Sequence, residues 1–443
     1  MTNVLIVDQE GLGLDFALRC AAAGHSVRWH RYAPKKPARD GEGFKQVTMV
    51  DDWRAHMPWA KSGIVVCTGN FRFLAELDRF REFGFRIFAP TLASARLEIE
   101  REAGMKAMEA VGIELPPYQT FGSLADAEAF ARKSDRAWVH KPMGDEDNKA
   151  LTYVAKDPAD MVGFLQRQRR IGKPLKGRVM LQEKVDLLCE LGVSGWFGPD
   201  GFLPGKFHVA IEHKSLMNGE KGPATGEQGT VCQYTDTEKL ATDALLPMEP
   251  ILKALGHRGD FCVGAGIDKN GKAWPFEFTC RLGWPAFYIQ VASHKGDPVQ
   301  WMIDLCDGKD SLKVSTDVAI GVVLAQPNYP YSNSPPDLVE GNPIEGVEEI
   351  GDAAHLVSVM MGKGPVMQAG KVVDAPTYQT TGEMVMAVTG LGRTIERARK
   401  KVYAAVDGIH FPNKMYRTDI GEKVAVNLDK LHKFGFIRDM RAN

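Results

Sequence analysis

Charged and apolar side chains alternate along PFEFTCRLG, residues 275–283, which follows a turn-like segment. Side chains of a β-strand point to its two faces in turn, so a strand here would have one polar and one apolar face. The polar face would carry an acid, a hydroxyl and a base, and the other face would be aromatic: Glu277, Thr279 and Arg281 against Phe276, Phe278 and Cys280. Taken alone, the pattern also fits a half-exposed strand with a surface ion pair, so other polar segments must decide.

Two lysines lie near an acidic, glycine-containing turn in VHKPMGDEDNKALTYV, residues 139–154. Lys141 ends a predicted strand, and Lys149 follows eight residues later. Two lysines beside such a turn can neutralise the oxygens of a polyphosphate. The alternative is a solvated loop with ordinary surface lysines.

Two further segments suit the other parts of a nucleotide. Glu183 ends one predicted strand and can accept hydrogen bonds from ribose hydroxyls, whereas Glu190 begins the next strand and can order a cationic partner. In EHKSLMNGEKGPATGEQG, residues 212–229, the glycines allow backbone N–H groups to wrap an anionic ligand. Alternatively, the glutamates are ordinary charges at the protein surface, and residues 212–229 form a hairpin loop that binds no ligand.

The elements that position these residues belong to a large protein. A chain of 443 residues is expected to form about two to four domains. The 55 Lys and Arg residues balance the 56 Asp and Glu residues, so the net charge does not favour nucleic acid or an anionic membrane as a partner. Seven scattered cysteines without a CxxC pair favour reduced thiols over disulfides or a zinc site. With no apolar run of membrane length and no signal-peptide pattern, we expect a cytoplasmic monomer or homodimer.

Strand and helix signals alternate in the first part of the chain, which predicts a Rossmann-like N-terminal domain in residues 1–114. The turn after the first strand contains Gly11 and Gly13, but the full GxGxxG motif and the acidic residue after the second strand are missing. A dinucleotide site is therefore disfavoured at this turn. The last predicted element is one helix over residues 92–112.

Two prolines after this helix predict a domain boundary near residue 115. Residues 115–312 are predicted to form an α+β domain with a lid module at about 120–190, and Asn270-Gly271 suits the tight turn of its last hairpin. Residues 313–443 are predicted to form a C-terminal α+β domain. The expected fold class is therefore a multidomain combination of α/β and α+β units.

The order of these segments resembles the ATP-grasp ligases, and in particular the family of phosphoribosylamine–glycine ligases, also called glycinamide ribonucleotide synthetases. FRIFAPTLASARLE resembles the family's IFGPT segment, HKSLMNGEKGPATGEQG its DHK…GPNTGGMG loop, and FEFTCRLG its IEFNCRFG strand. Towards the C-terminus, GVVLAQPNYP is similar to VVxAxxGYP, and YRTDIG, residues 416–421, matches the family's YRxDIG end. The resemblance covers essentially the whole chain, and the C-terminal run is its most specific match.

The resemblance implies that ATP phosphorylates a small carboxylate and that an amine then attacks the acyl phosphate. Magnesium, or manganese in its place, would neutralise the phosphoryl group in transfer. Carried over position by position, the family assigns the metal to Glu277 and Thr279 and the catalytic role to Arg281 and Lys149. Nucleotide binding is predicted for Lys141, Lys149, Glu183, Lys214 and Arg101, together with Glu190 from its place at the start of a strand.

Several positions depart from the family pattern. Thr279 stands where the family has an asparagine ligand, and a hydroxyl binds magnesium less readily than an amide oxygen. The family's GGREHA and GPEAPL loops, which help to hold the phosphoribosyl group, correspond here to GLGLDFA and TGNFRF. In the second loop, Arg72 could supply a new anion contact or simply lie at the surface. Trp284 and Phe287 replace polar residues, so an apolar pocket wall is expected.

We therefore expect an ATP-dependent carboxylate–amine ligase with an altered acceptor. One alternative is an authentic phosphoribosylamine–glycine ligase of purine biosynthesis. Another is an inactive relative that still binds nucleotide.

Overall fold

The computed structural model describes residues 1–33, 39–143, 152–171, 178–331 and 333–443. Its N-terminal part is an open sheet of parallel strands in the order β3-β2-β1-β4-β5, as the alternation predicts. The strands are β1 (Asn3–Asp8), β2 (Ser26–Arg31), β3 (Thr48–Met49), β4 (Ile64–Cys67) and β5 (Ile87–Phe88). The helices are α1 (Leu14–Ala22), α2 (Met57–Ala60) and α3 (Leu74–Glu82). Strand β1 is buried throughout Val4 to Val7 because its side chains enter apolar clusters on both faces of the sheet.

The single helix predicted over residues 92–112 is interrupted. The structure has two helices there, α4 (Leu92–Ile99) and α5 (Arg101–Ala110). Glu100 between them has φ −99° and ψ 87°, outside the helical region. The break allows α5 to pack closely on α4, since a Cβ on Gly104 would lie 2.3 Å from a backbone carbonyl oxygen of α4. It also makes Arg101 the first residue of α5, beside the strand that carries Glu277.

The predicted lid module contains an antiparallel sheet in the order β6-β9-β7-β8. Its elements are β6 (Tyr118–Phe121), α6 (Leu124–Ala131), β7 (Trp138–Met143), β8 (Tyr153–Val154), α7 (Pro158–Ile171) and β9 (Arg178–Glu183). Phe164 and Leu165 of α7 pack with Trp138 of β7 in a separate apolar cluster. The module therefore has a core of its own.

A large antiparallel sheet lies next to this module. Its first strands are β10 (Leu187–Gly198), β11 (Gly201–Phe202), β12 (Phe207–Met217), β13 (Lys221–Thr235), β14 (Gly259–Asp268) and β15 (Ala273–Thr279), and the helix α8 (Glu249–Ala254) connects β13 to β14. Strands β14 and β15 form the hairpin predicted from Asn270-Gly271, and Gly271 has a φ of +84°, which glycine adopts without strain.

The remaining strands are β16 (His294–Lys295), β17 (Lys313–Val314), β18 (Val318–Ala325), β19 (Pro343–Ile344), β20 (Ala354–Leu356), β21 (Val359–Gln368), β22 (Lys371–Thr380) and β23 (Met384–Gly392). Three of them extend the large sheet, whose order is β15-β14-β10-β12-β13-β18-β23-β20, whereas β16 pairs with β17 and β19-β22-β21 is a separate sheet. The helices are α9 (Ala286–Ser293), α10 (Gln300–Cys306), α11 (Pro336–Val339), α12 (Val347–Ile350), α13 (Ile395–Gly408) and α14 (Glu422–Phe434). Within the described ranges, no helix combines the length and apolarity needed to cross a bilayer.

Candidate functional site

Strand β15 places the predicted metal positions where the lid sheet meets the large sheet. Glu277 and Thr279 leave one face of the strand, and Phe278 is buried on the other, as the alternation predicts. A β-bulge in the β14–β15 pairing interrupts the alternation next to Phe276. The ring of Phe276 consequently lies 4.8 Å from the Lys141 ammonium, so it faces the lid sheet rather than the core.

Three cations and three carboxylates gather beside this strand. Arg101 Nη2 lies 3.6 Å from Glu277 Oε2. Lys214 Nζ lies 3.6 Å from Glu190 Oε2 and 3.1 Å from Glu212 Oε2. Lys141 completes the cluster, since its pKa responds to several of these charges. The structure thus brings together five positions singled out in the sequence: Arg101, Lys141, Glu190, Lys214 and Glu277.

Glu212 is a member of this cluster that sequence reasoning missed. It lies two residues before Lys214 on β12, so both side chains leave the same face of the strand. That i, i+2 spacing was the signal available in the sequence. Its consequence is that Lys214 has a carboxylate partner whether or not a ligand is present.

The two lysines of the cluster have opposite pKa shifts. Burial and the guanidinium of Arg101 lower the pKa of Lys141 to about 8, although the carboxylates of Glu277 and Glu190 partly offset this effect. The carboxylate of Glu212 raises the pKa of Lys214 well above its ordinary value. Lys214 therefore stays charged, whereas Lys141 titrates just above neutral pH.

The affinity for an ATP analogue is expected to fall as the pH rises through about 8, because Lys141 must be protonated to attract phosphate. Bound phosphates favour the charged ammonium and raise its pKa, so binding takes up a proton above about pH 8, and affinity drops by up to about tenfold per pH unit. Calorimetric titrations from about pH 6 to about pH 9.5 measure this dependence.

Two variants of Lys141 serve as controls for this titration. Lys141→Arg keeps its charge over the whole range and is expected to remove the pH dependence. Lys141→Ala is expected to weaken nucleotide binding by about 1.5 to 3 kcal/mol, the loss of a charge-assisted contact. Unchanged affinity in Lys141→Ala would remove Lys141 from the site.

Arg281 follows β15 and is held by the N-terminal part of the chain. Its Nη1 donates to the carbonyl oxygen of Leu282 at 3.0 Å, and its Nη2 lies 3.6 Å from Glu98 Oε1. Glu98 of α4 also accepts the backbone N–H of Cys280 at 2.6 Å. Glu98 therefore orients the end of β15 together with its arginine, a role that no local sequence pattern indicated.

Glu183 ends β9, as predicted, and its carboxylate lies 2.5 Å from Arg136 Nη1. A nucleoside that binds to Glu183 must share this carboxylate with Arg136, and the predicted ribose contact remains a prediction. Lys149 lies outside the described residues, within the interval 144–151. Its predicted catalytic and phosphate-binding roles therefore also remain predictions.

The polar face of β15 offers a small donor set for a divalent metal. Glu277 supplies a carboxylate that is 44% exposed, and the Thr279 hydroxyl follows two residues later. Magnesium in nucleotide sites ordinarily takes one or two carboxylates and completes its shell with phosphate oxygens and water, so these donors fit a metal that arrives with ATP. Among the residues described, no group of three or more His, Cys, Asp or Glu side chains forms a preassembled metal site.

The prediction of a glycine-rich loop over residues 212–229 needs a correction, because these residues belong to the paired strands β12 and β13 except for the turn at residues 218–220. The YRTDIG motif holds this hairpin in place. Arg417 of this motif has a side chain that is 1% exposed. Its Nε and Nη2 each donate to the Asp419 carboxylate at 2.8 Å, and Nη2 also donates to Glu220 Oε1 at 2.9 Å. Its Nη1 donates to the carbonyl oxygen of Ser215 at 3.0 Å. One buried guanidinium therefore links the motif to both sides of the turn.

Neighbouring residues of the motif add further bonds to the hairpin. Asn218 and Thr418 exchange two hydrogen bonds, of 2.6 and 3.1 Å. The Gly421 N–H donates to His213 Nε2 at 3.2 Å. Burial lowers the pKa of His213 to about 3, so the imidazole is neutral and can accept this bond. The motif that matched the family best thus anchors the hairpin that carries Lys214.

The expected apolar wall after Arg281 needs a correction. Phe287 is 1% exposed and packs edge-on against Phe16 and Trp196, so it belongs to the core and presents no surface to a ligand. Trp284 is partly exposed and packs on Phe287 and Tyr288. The residues after β15 are therefore mostly used to attach α9 to the core.

Comparison with known families supports the resemblance drawn from the motifs. Residues 319–423 match the family described as phosphoribosylglycinamide synthetase, C domain. The phosphoribosylamine–glycine ligase of Ralstonia nicotianae is 28% identical over 359 residues, covering 78% of this chain and 81% of that protein. The ligase of the same name from Neisseria meningitidis serogroup B is 29% identical over 363 residues, covering 79% and 81%. The resemblance to glycinamide ribonucleotide synthetases is confirmed.

Solved structures support the fold. The phosphoribosylamine–glycine ligase of Thermotoga maritima superposes with a TM-score of 0.71 at 21% identity, covering 95% of this chain and all of that one. The N5-carboxyaminoimidazole ribonucleotide synthetase of Thermotoga maritima gives 0.58 at 16% identity and covers 93% and 99%. The biotin carboxylase of Campylobacter jejuni gives 0.63 at 12% identity and covers 98% and 97%. The predicted fold class, a multidomain α/β and α+β protein of ATP-grasp type, is confirmed.

Proposed function

We propose that this protein is an ATP-dependent ligase that joins a carboxylic acid to an amine through an acyl phosphate. The observation that carries this proposal is the convergence of Arg101, Lys141 and Lys214 on the face of β15 that presents Glu277. Fixed cations around a polyphosphate stabilise the charge on a phosphoryl group in transfer, and this stabilisation usually contributes more to such catalysis than any other effect. The names of the relatives support the same reaction class.

Each group has a role in this reaction. Lys141 and Lys214 attract the phosphates, and Arg281 binds the acyl phosphate oxygens at the end of β15. Glu277 and Thr279 would hold magnesium, which supplies charge neutralisation when it is bound. The substrates are small molecules, and the seven cysteines are free thiols, which supports the expected cytoplasmic location.

The identity of the acceptor separates two candidate functions. The names of the relatives favour phosphoribosylamine with glycine as the acid, which would make this an authentic ligase of purine biosynthesis. The changed loops after β1 and β4 favour a different amine. An inactive nucleotide-binding relative is the third candidate, and Thr279 in place of asparagine favours it.

A coupled assay of ADP release across amino acids and amines tests the proposal. Turnover that needs both an acid and an amine, together with magnesium, is expected for a ligase. Lys141→Ala is the control variant and should lower turnover at limiting ATP. Efficient turnover with glycine and phosphoribosylamine would select the authentic ligase. Binding of ATP without turnover on any pair would contradict the ligase proposal and select the inactive relative.

A further inference from the structure

The crevice above the N-terminal sheet is the place where an open parallel sheet ordinarily binds its ligand. The strand order reverses between β1 and β4, and ligands of such sheets bind outside the carboxyl ends of the strands at a reversal. The loop after β1 leads into α1, and free N–H groups at such a position are the usual donors to phosphate. Residues 9–13 and 68–73 are the loops that follow β1 and β4, the two strands at this reversal.

In this protein the first loop is closed around a carboxylate of its own. Asp8 is fully buried and accepts the backbone N–H groups of residues 10–13 at 2.8 to 3.2 Å. It also accepts the indole N–H of Trp29 at 3.0 Å and the hydroxyl of Thr68 at 2.9 Å. A carboxylate offers about four lone-pair sites, so these six donors use its accepting capacity fully. All four N–H groups of the loop already have an anionic acceptor.

The side chain of Gln9 bonds to the backbone of the second loop, residues 68–73 after β4. Its Oε1 accepts the backbone N–H groups of Phe71 and Arg72 at 3.4 and 3.0 Å, and its Nε2 donates to the carbonyl oxygen of Arg72 at 2.5 Å. Gly69 leaves room for this side chain, since a Cβ there would lie 2.6 Å from Gln9 Oε1. The guanidinium of Arg72 lies over the ring of Tyr32, 4.4 Å from its centroid.

The charges beside the first loop also disfavour a phosphate. The Arg31 guanidinium lies against Gly11, where a Cβ would be 2.3 Å from its Cζ, and its Nε donates to Asp40 at 2.8 Å. Asp40 also accepts the hydroxyl of Thr381. The guanidinium of Arg31 is already bonded to Asp40, and that of Arg72 lies over the ring of Tyr32. These two cations only balance the carboxylates of Asp8 and Asp40, so they leave no net positive charge for a phosphate dianion.

This crevice adjoins the reaction site through α9. The hydroxyl of Tyr288 donates to the carbonyl oxygen of Leu12 at 2.8 Å. Trp284, three residues after Arg281, packs with Leu12 and Tyr288 in one apolar cluster. An acceptor that reaches Arg281 from the side of the N-terminal sheet therefore meets the closed loop.

We propose that the acceptor amine carries no phosphate at the end that meets the N-terminal sheet, because Asp8 occupies the position of such a phosphate. This substrate class rests on the proposed ligase function. Under this proposal the acceptor is a neutral or cationic amine, which distinguishes this protein from enzymes whose acceptor amine is phosphorylated.

Titration with ribose 5-phosphate and with inorganic phosphate tests the closed loop directly. The wild-type protein is expected to bind neither at about 1 mM, and Asp8→Gly is expected to gain binding because it frees the N–H groups of residues 10–13. Asp51→Gly, which removes an exposed acid from the same sheet unit, is the matched control and should resemble the wild type. Micromolar binding of ribose 5-phosphate by the wild type would overturn the proposal.

A second measurement needs only the wild-type protein and decides the matter if Asp8→Gly does not fold. ADP release is compared for ribosylamine and phosphoribosylamine, and kcat/KM is expected to be at least about tenfold higher for the unphosphorylated amine. An equal or higher value for phosphoribosylamine would overturn the proposal. Failure of the ligase function has another signature, namely no turnover on any acid–amine pair, and the titration with ribose 5-phosphate does not depend on it.

Discussion

Arg281→Met is expected to lower kcat by about 10²- to 10³-fold while the affinity for an ATP analogue changes little. The guanidinium is held by Leu282 and Glu98 before any ligand binds, so it can stabilise charge on an acyl phosphate without reorganising. Methionine retains much of the side-chain volume and removes only the charge and the donors. Steady-state ADP release with the best acid–amine pair, together with calorimetric titration of the analogue, measures both quantities.

Two further variants define what this result means. Arg96→Met removes an exposed arginine of α4 that pairs with Glu100, and it should leave kcat unchanged. Glu98→Gln keeps the shape of the side chain but weakens its hold on Arg281, so it should lower kcat less than Arg281→Met does. An unchanged kcat in Arg281→Met, or an equal loss of nucleotide affinity, would show that Arg281 does not act on the transferring group.

Arg417→Met is expected to destabilise the protein by about 3 kcal/mol, the lower end for breaking a buried ion pair, because Glu220 keeps partial contact with water. The variant leaves Asp419, whose carboxylate accepts two bonds from Arg417, without its guanidinium partner. It also releases the hairpin that carries Lys214, so kcat/KM for ATP is expected to fall by up to about 10²-fold. Urea unfolding and steady-state kinetics measure the two effects.

Two control variants distinguish loss of the Arg417 ion pairs from a nonspecific effect of substituting an arginine. Arg417→Lys keeps the charge but lacks the planar fork that bonds to several acceptors at once, so its stability should lie between those of the wild type and Arg417→Met. Arg397→Met removes an exposed arginine on α13 and should change neither stability nor kinetics. Wild-type stability in Arg417→Met would mean that the motif does not anchor the hairpin.

Local pattern was sufficient to predict much of the fold. The alternation along residues 3–88 predicted the parallel N-terminal sheet because buried parallel strands are apolar runs separated by amphipathic helices. The alternation in β15 predicted which face carries Glu277 and Thr279. It failed at Phe276, where a bulge in the pairing with β14 re-aims the side chain.

Local patterns could not predict contacts between residues that are distant in sequence. Glu98 and Arg281 are far apart in the chain, and their pairing follows from the way α4 packs against the end of β15. The break at Glu100 was hidden because the residues around it are good helix formers, and the close approach of Gly104 to α4 is visible only in the fold. The pKa of Lys141 likewise depends on burial between two sheets.

What the amino-acid sequence determined by itself is therefore the set of elements and the chemical types on each face of β15 and β12. Propensity and alternation act within a few residues, and they are written directly in the order of side chains. Tertiary packing decided which partner each polar group bonds to. In the turn after β1 the bonds from Gly11 and Gly13 to Asp8 are local, but the fold also brings Trp29 and Thr68, which are distant in sequence, to the same carboxylate. A hydrogen bond satisfies a donor only through proximity in space, and the sequence of a loop does not state which carboxylate will reach it.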